Sequence, residues 1–321
     1  MLGEFDLIDR YFRDAAARRD DVLLGVGDDG ALLRPKAGFD LVMVTDTLVE
    51  GTHFKAGASP RSIGHRALAV NLSDLAAMGA TPAWALLALT LPAMDESWIK
   101  EFATGFFDLA RLHDVALVGG DTTHGPLSVT VQAVGYVAHG RGLRRSGARV
   151  GDVVLVSGAL GDAAAGLHDS NEYLRGRFDY PTPRIELGES LLDVASAAMD
   201  VSDGLLADLA KLTAASGVGA TLTIENLPLS KQLLSEKGLD EARRLALTGG
   251  DDYELLFTMP EACWEEWQRI STERSAADQS VAITPIGRID EHQGLRMTLA
   301  GERVDQAALG IERSGWDHFK G

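Results

Sequence analysis

Apolar positions along this chain switch between strand-like runs and helical spacing. Leu41-Val42-Met43-Val44 is a short apolar run that predicts a buried strand ending at Thr45-Asp46. From residue 59 to 78 the spacing becomes helical, with Pro60 in the first turn and Gly79 as the stop. A strand follows over 85–91, a helix over 95–113, and a strand over 115–118 that runs into Gly119-Gly120-Asp121. Residues 127–137 alternate well enough for a longer strand. The stretch 140–151, GRGLRRSGARVG, turns to Gly and Arg and marks a domain boundary. Beyond it the pattern predicts strands over 152–156, 198–201, 220–224 and 254–258. Helices are expected where GALGDAAAG turns inward, over 183–197, and over 204–216. The expectation is an α/β fold in two domains, residues 1–140 and 141–321.

Composition narrows the function classes. Thirty basic residues stand against 47 acidic ones, a net charge of −17, with 45% hydrophobic positions in 321 residues. That balance argues against a nucleic-acid backbone or an anionic membrane as partner, since either needs a broad basic surface. A small phosphorylated ligand remains compatible if metal ions or a local basic pocket offset the repulsion. The single cysteine, Cys263, cannot form an intrachain disulfide, which fits a reducing cytoplasm. The start, MLGEFDLIDRYF, carries acids where a signal peptide has a basic segment. The longest apolar stretch, 82–94, is short and bracketed by prolines, so it reads as a core strand rather than a membrane span. A soluble, cytoplasmic protein is expected.

The stretch GVGDDG, residues 25–30, matches a dinucleotide fingerprint by its glycines alone. Its central residues are Asp28 and Asp29, which repel phosphate, and Pro35 follows too soon for a crossover helix. A turn between two short strands fits better. Other acids sit near the ends of expected elements: Asp46, Asp121, Asp200 and Asp203. Asp74 instead lies inside an apolar helix, three residues from Asn71 on the same face. A carboxylate there needs a cation or strong donors. Singly, Asp46 and Asp121 also read as turn acids, and Ser202 and Asp203 as helix caps. Jointly, several aspartates without matching lysines favour a hard divalent cation, and oxygen-only ligands point to Mg²⁺. His53 follows Asp46 in TDTLVEGTHF, either as a surface histidine or as part of the same site. Arg144-Arg145 reads as a solvated linker or as a phosphate clamp. Gly249-Gly250-Asp251-Asp252 reads as a plain turn before a strand, and Trp316 as an anchor of the tail.

The blocks GVGDDGALL, VTDTLVEGTHF, ALAVNLSDLAAMGATPAW, LVGGDTT, RSGARVGD, DVSDGLLADL, GGDDYEL and GWDHF resemble the thiamine-monophosphate kinase family. That family lies within the aminoimidazole ribonucleotide synthetase superfamily, and the blocks occur in its order almost to the C-terminus. The resemblance implies ATP-dependent phosphorylation of thiamine monophosphate to thiamine diphosphate. It implies a two-domain aminoimidazole ribonucleotide synthetase-like fold of α/β class with α+β character. The N-terminal metal- and ATP-binding domain would pair its sheet across a homodimer, and a C-terminal α/β domain would follow. By motif position, Asp29, the carbonyl of Val44, Thr45, Asp46, Asp74, Asp121, Asp200 and Asp203 would surround several Mg²⁺ ions. Gly120, Asp121, Arg145 and Ser202 would meet ATP, while His53, Asp251 and Trp316 would contact thiamine monophosphate. Asp251 stands where the family often has glutamate.

Related synthetases are less similar in the motifs. The selenophosphate synthetases generally carry a reactive Cys or selenocysteine near the N-terminus, and the hydrogenase-maturation proteins end in cysteine. This chain has neither feature. The purine-biosynthesis ligase fits the TDTLVEGTHF and GWDHF blocks less well than the kinase.

Overall fold

The computed structural model describes residues 9–13, 19–169, 171–273 and 281–316. Residues 1–8 of the acidic start, and Asp317-His318-Phe319 of the GWDHF block, lie outside the described residues. The chain divides into two units. The N-terminal unit comprises Met1–Leu75 and Ala80–Gly142, and the C-terminal unit comprises Ala76–Gly79 and Leu143–Gly321.

In the N-terminal unit, β1 (Val22–Leu24) and β2 (Leu32–Leu33) pair antiparallel around the GVGDDG turn. The expected turn between short strands is therefore present, and no helix opens on the glycines. Four longer strands follow: β3 (Phe39–Val49), β4 (Thr81–Leu91), β5 (Ala116–His124) and β6 (Ser128–Ala138). They form one sheet in the order β3-β6-β4-β5, with the β4–β5 pair parallel and the others antiparallel.

Two expectations need correction. β3 does not stop at Thr45-Asp46, because its pairing with β6 continues unbroken to Val49 opposite Ser128. Likewise β5 runs through Gly120-Asp121 to His124, so Asp46 and Asp121 both lie within strands. Nor is β3 buried. Leu41 and Met43 are 41% and 60% exposed, since this edge strand is covered on one face only. The covered face carries Val42, Leu48, Val131, Ala133 and Leu87, all buried.

Helices α1 (Pro60–Ala77) and α2 (Glu96–Leu112) complete this unit, apart from the last residues of α1. Asp95 caps α2, its Oδ1 accepting the N–H groups of Ser97 and Trp98 at 2.9 and 3.2 Å. Leu75 of α1 lies against Gly135 of β6, which identifies the sheet face that α1 covers. The two helices meet through glycines. A Cβ on Gly64 would lie 2.1 Å from the Phe102 carbonyl oxygen, and one on Gly105 would lie 1.9 Å from that of Arg61.

The C-terminal unit is built on β7 (Val153–Ser157), β8 (Ala197–Asp200), β9 (Gly219–Thr223), β10 (Leu255–Met259), β11 (Ile283–Asp290), β12 (Gly294–Leu299) and β13 (Glu302–Val304). Their order is β13-β12-β9-β11-β7-β10-β8. Among the described strands of this sheet only the β9–β12 pairing is parallel, which gives the sheet its α+β character. Helices α3 (Asp162–Gly166), α4 (Glu172–Asp179), α5 (Ile185–Ser190), α6 (Leu205–Ser216), α7 (Lys231–Lys237), α8 (Leu239–Thr248) and α9 (Glu261–Glu273) accompany it. Leu205, Leu206, Leu209 and Leu212 of α6 pack with Val154, Val156, Leu222, Leu256 and Ile286 in one core. The helix expected over 183–197 is shorter, because Ser196 N–H is already drawn to the Thr258 carbonyl as β8 begins to pair. Among the described residues no helix is long and apolar enough to cross a membrane.

Gly105→Ala tests the α1–α2 contact. Alanine gains up to about 1 kcal/mol of helix propensity. A Cβ 1.9 Å from a backbone oxygen forces the helices apart, and overpacking of this kind costs about 1–3 kcal/mol. Net destabilisation is expected, read as a lower midpoint of thermal unfolding than wild type.

Candidate functional site

The hairpin carrying Asp28 and Asp29 is tied to the sheet through one carboxylate. Asp21 accepts hydrogen bonds from Arg19 (2.8 and 2.9 Å) and from Trp84 Nε1 (3.1 Å). The Arg19 guanidinium holds the Asp21 carboxyl below its ordinary range. Asp29 itself is exposed at the tip, its N–H donating to Asp28 Oδ1 at 2.8 Å.

Within the sheet, pairing sets the distances between the expected ligands. Asp46 of β3 stands opposite Val131, which stands opposite Leu87, which stands opposite Gly120. Three strand spacings of about 4.8 Å separate the first from the last, roughly 14 Å. Asp121, one residue on, falls in the row of Thr47, Thr130 and Ala88, on the uncovered face. The sheet of one chain therefore does not bring Asp46 and Asp121 together. Thr45 Oγ1 donates to the Val131 carbonyl at 3.2 Å, and Val44 is half-buried. Gly120 cannot be replaced freely: its φ is +156° and a Cβ would meet the Leu87 carbonyl at 1.8 Å.

Asp74 is half-buried, whereas its helix neighbours Asn71, Leu72, Ser73 and Leu75 are buried. Asn71 donates to the Ala67 carbonyl at 3.0 Å, while its buried Oδ1 has no hydrogen-bond partner. His53 sits in the turn after β3. Its Nδ1 accepts the Val49 N–H at 2.9 Å, so the neutral ring carries its proton on Nε2.

In the C-terminal unit three distant segments converge. Asp251 N–H donates to the Ser202 carbonyl at 2.9 Å, and Trp316 N–H donates to the Asp203 carbonyl at 3.0 Å. Ser202, Asp203, Asp251 and Trp316 thus stand side by side. Trp316 is 52% exposed, and its backbone N–H ties this segment to the Asp203 loop. Ser202 and Asp203 do not cap α6 with their side chains either. Buried Asp208, in the first turn of α6, reaches back so that its Oδ2 accepts the N–H groups of Ser202, Asp203 and Gly204 at 3.0, 3.0 and 3.2 Å. Lys211 bridges Asp203 and Asp208. Asp200 ends β8 and is buried. Arg145 is exposed, and its carbonyl accepts Ser216 Oγ at 3.1 Å.

Beneath Asp251 lies a buried polar cluster that sequence reading missed. Glu254 is fully buried and accepts from Ser157 Oγ (2.5 Å), Arg177 (2.8 Å) and Arg184 (2.7 Å to Nε). Gly158 leaves room for it, since a Cβ there would meet Glu254 Oε1 at 2.1 Å. Asp252 accepts the N–H groups of Gly161 (2.7 Å) and Ala163 (3.2 Å) at the start of α3. Burial pushes the Asp252 carboxyl up to about 8, against the opposing pull of those N–H groups and of Arg177. Burial also raises Asp162. Asp251 and Tyr253, on either side of Asp252, have φ of +67° and +50°. Such left-handed backbone at non-glycine residues costs about 1–3 kcal/mol each and persists only where surroundings enforce it. The cue in sequence was the acidic run DDYE, whose inward members were indistinguishable from turn acids.

Among the described residues no three carboxylate, imidazole or thiol groups gather to hold a metal by themselves. Magnesium commonly takes one or two carboxylates and completes its shell with water and phosphate oxygens. Single acids spread over several elements fit that habit. The ammonium of Lys211 between Asp203 and Asp208 marks one place where the acids already accommodate a cation. A groove of about 560 Å³ beside Trp264, Thr221 and Arg288 contains none of these residues.

Residues 27–137 match the N-terminal domain of the AIR synthase related proteins, and residues 149–300 match their C-terminal domain. The chain is 44% identical over 329 residues to the thiamine-monophosphate kinase of Salmonella typhimurium, covering 99% of this chain and 98% of the relative. The chain belongs to the thiamine-monophosphate kinase family. The crystal structure of thiamine-monophosphate kinase from Stenotrophomonas maltophilia K279a is 48% identical, with a TM-score of 0.85 over 94% of this chain and 98% of that one. AaThiL complexed with AMPPCP and TMP is 34% identical, with a TM-score of 0.76 over 99% and 97%. The resemblance read from the motifs is thereby established, as is the two-domain fold.

For this kinase-family chain, Asp252 predicts a pH signature. Its folded value of about 8 exceeds the ordinary 3.8, so between them the folded state holds a proton that the unfolded state releases. Its contribution is complete below the lower value and is lost as pH rises through the upper one. Asp252→Asn removes this titration. The unfolding midpoint of the variant relative to wild type is expected to rise between pH 5 and 9. A difference independent of pH would contradict the assignment.

Proposed function

We propose that this protein transfers the γ-phosphoryl group of ATP to thiamine monophosphate, releasing thiamine diphosphate and ADP. The observation that carries the reading is the full-length match to thiamine-monophosphate kinases. The convergence of Ser202, Asp203, Asp251 and Trp316 supports it.

The acceptor is a phosphate monoester, whose second pKa of about 6 leaves it largely dianionic near neutrality. It needs no general base, and the transfer is a single direct displacement. The obstacle is repulsion: two unit charges 4 Å apart cost about 4 kcal/mol at an effective dielectric of 20. Magnesium, when bound, supplies the positive charge that lets ATP, the acceptor and an acidic protein coexist. Asp29, the Val44 carbonyl, Thr45, Asp46, Asp74, Asp121, Asp200 and Asp203 are the residues assigned to hold it. Gly120 and Asp121, Ser202 and the exposed Arg145 bind ATP. Arg145 offers a planar fork of donors to phosphate oxygens. His53 contacts the acceptor, Asp251 offers a carboxylate to its cationic part, and Trp316 provides an aromatic face.

We further propose that the protein is a homodimer paired through the uncovered sheet face. Leu41, Met43 and Leu86 are exposed on that face, with Phe39 beside them on the edge strand. A contiguous apolar surface of this kind is characteristic of an interface. Met43→Glu is expected to lower the mass measured by light scattering to that of one chain, and an unchanged mass would count against this face.

Purified protein with ATP, Mg²⁺ and thiamine monophosphate is expected to form thiamine diphosphate. ATP binding without product would overturn the kinase reading in favour of a nucleotide sensor. Asp74→Asn and Asp121→Asn are each expected to reduce turnover about 10²-fold or more with the circular dichroism spectrum intact. Near-normal rates in both would refute their role as metal ligands.

A further inference from the structure

The DDYE segment alternates in a way that the acceptor site alone does not explain. Asp251 and Tyr253 have left-handed backbone; Asp251 is half-buried and Tyr253 is 9% exposed, whereas Asp252 and Glu254 are almost completely buried. The strained turn is held from two sides. On one side its N–H groups are laced to the neighbouring segment, Asp251 to the Ser202 carbonyl and Tyr253 to the Val201 carbonyl, each at 2.9 Å. On the other side Asp252 grips Gly161 N–H and Ala163 N–H at 2.7 and 3.2 Å. Tyr253 then turns its hydroxyl back onto Asp251 Oδ1 at 3.1 Å.

We propose that Asp252 and Tyr253 are positioning residues of the acceptor site, both acting through Asp251. Asp252 locks the turn by its two backbone contacts, and Tyr253 orients the Asp251 carboxylate by one hydrogen bond. The inference rests on the reading of Asp251 as a contact to the phosphorylated, cationic acceptor. The tyrosine contact matters the more because aspartate is shorter than glutamate: the carboxylate has one fewer torsion to adjust and must be aimed by its surroundings. Glu254, clamped by Ser157, Arg177 and Arg184, anchors the same turn where it enters β10.

The test uses the full chain in four forms: wild type, Asp252→Asn, Asp251→Ala, and the two substitutions combined. Misplacing a contact group by about 1 Å can cost up to 10²-fold. Asp252→Asn is therefore expected to raise KM for thiamine monophosphate about tenfold and to leave KM for ATP within about twofold. In the Asp251→Ala background the same substitution is expected to add nothing, because the residue it acts through is gone. Additive effects, or equal changes in both KM values, would overturn the proposal, since a purely structural residue lowers the active fraction without that split. Tyr253→Phe carries the same cycle should Asp252→Asn fail to fold, as it deletes one hydroxyl and leaves the buried carboxylates in place. Amide hydrogen exchange provides a readout that does not depend on activity. Exchange at Asp251 and Ala163 is expected to quicken at least about tenfold in Asp252→Asn, and unchanged protection would refute the lock. A wild-type chain that makes no thiamine diphosphate would sink the kinase reading, and the exchange result would still decide whether Asp252 holds the turn.

Discussion

A buried carboxylate has to be satisfied, and in the C-terminal unit that requirement shapes two of the loops that carry expected contacts. Asp208 collects three backbone N–H groups and thereby folds the Ser202–Gly204 loop. Asp252 collects two more at the start of α3, and Glu254 takes two guanidinium groups and a serine hydroxyl. Leaving such a group unpaired would cost several kcal/mol, so each acid forces the chain to bring donors to it. Asp203 and Asp251, in the same segments, are held in place as a consequence, and Trp316 joins them through its N–H to the Asp203 carbonyl.

The acids of this protein therefore divide into two populations with different physics. Inward ones are neutralised by backbone dipoles, by arginines or by retaining a proton, as burial does to Asp252. Outward ones, such as Asp29, Asp46 and Asp121, are exposed to water. A chain with net charge −17 can work on anionic substrates only if the second population is offset when the substrates arrive. The first population adds rigidity without adding to that electrostatic problem.

The elements that sequence reading located best were those with a strong period. Helix α1 was expected over 59–78 and spans Pro60–Ala77; strands β7, β8, β9 and β10 fell within two residues of expectation. Strand ends in the first sheet were read too early at Asp46 and Asp121, because a polar residue looks like a terminus when its neighbouring strand is unknown. The pieces that went unread, α4, α7, α8, α9 and the strands after residue 280, have weaker patterns and depend on packing against the seven-stranded sheet. In the site, the motif acids were visible as letters, but Asp208, Asp252, Glu254, Arg177 and Arg184 were not singled out. Their importance comes from burial, which a linear pattern does not encode.

Sequence alone determined the family, the acidic and phosphate-directed character of the chemistry, and which residues stand in the motif positions, since these depend on residue type and order. Tertiary structure decided which acids face inward and which outward, and that Asp46 and Asp121 of one sheet stand far apart. It also decided that Ser202, Asp203, Asp251 and Trp316 meet through backbone hydrogen bonds. Those outcomes depend on strand register and on where buried charge finds its donors, and both are set only when distant segments pack.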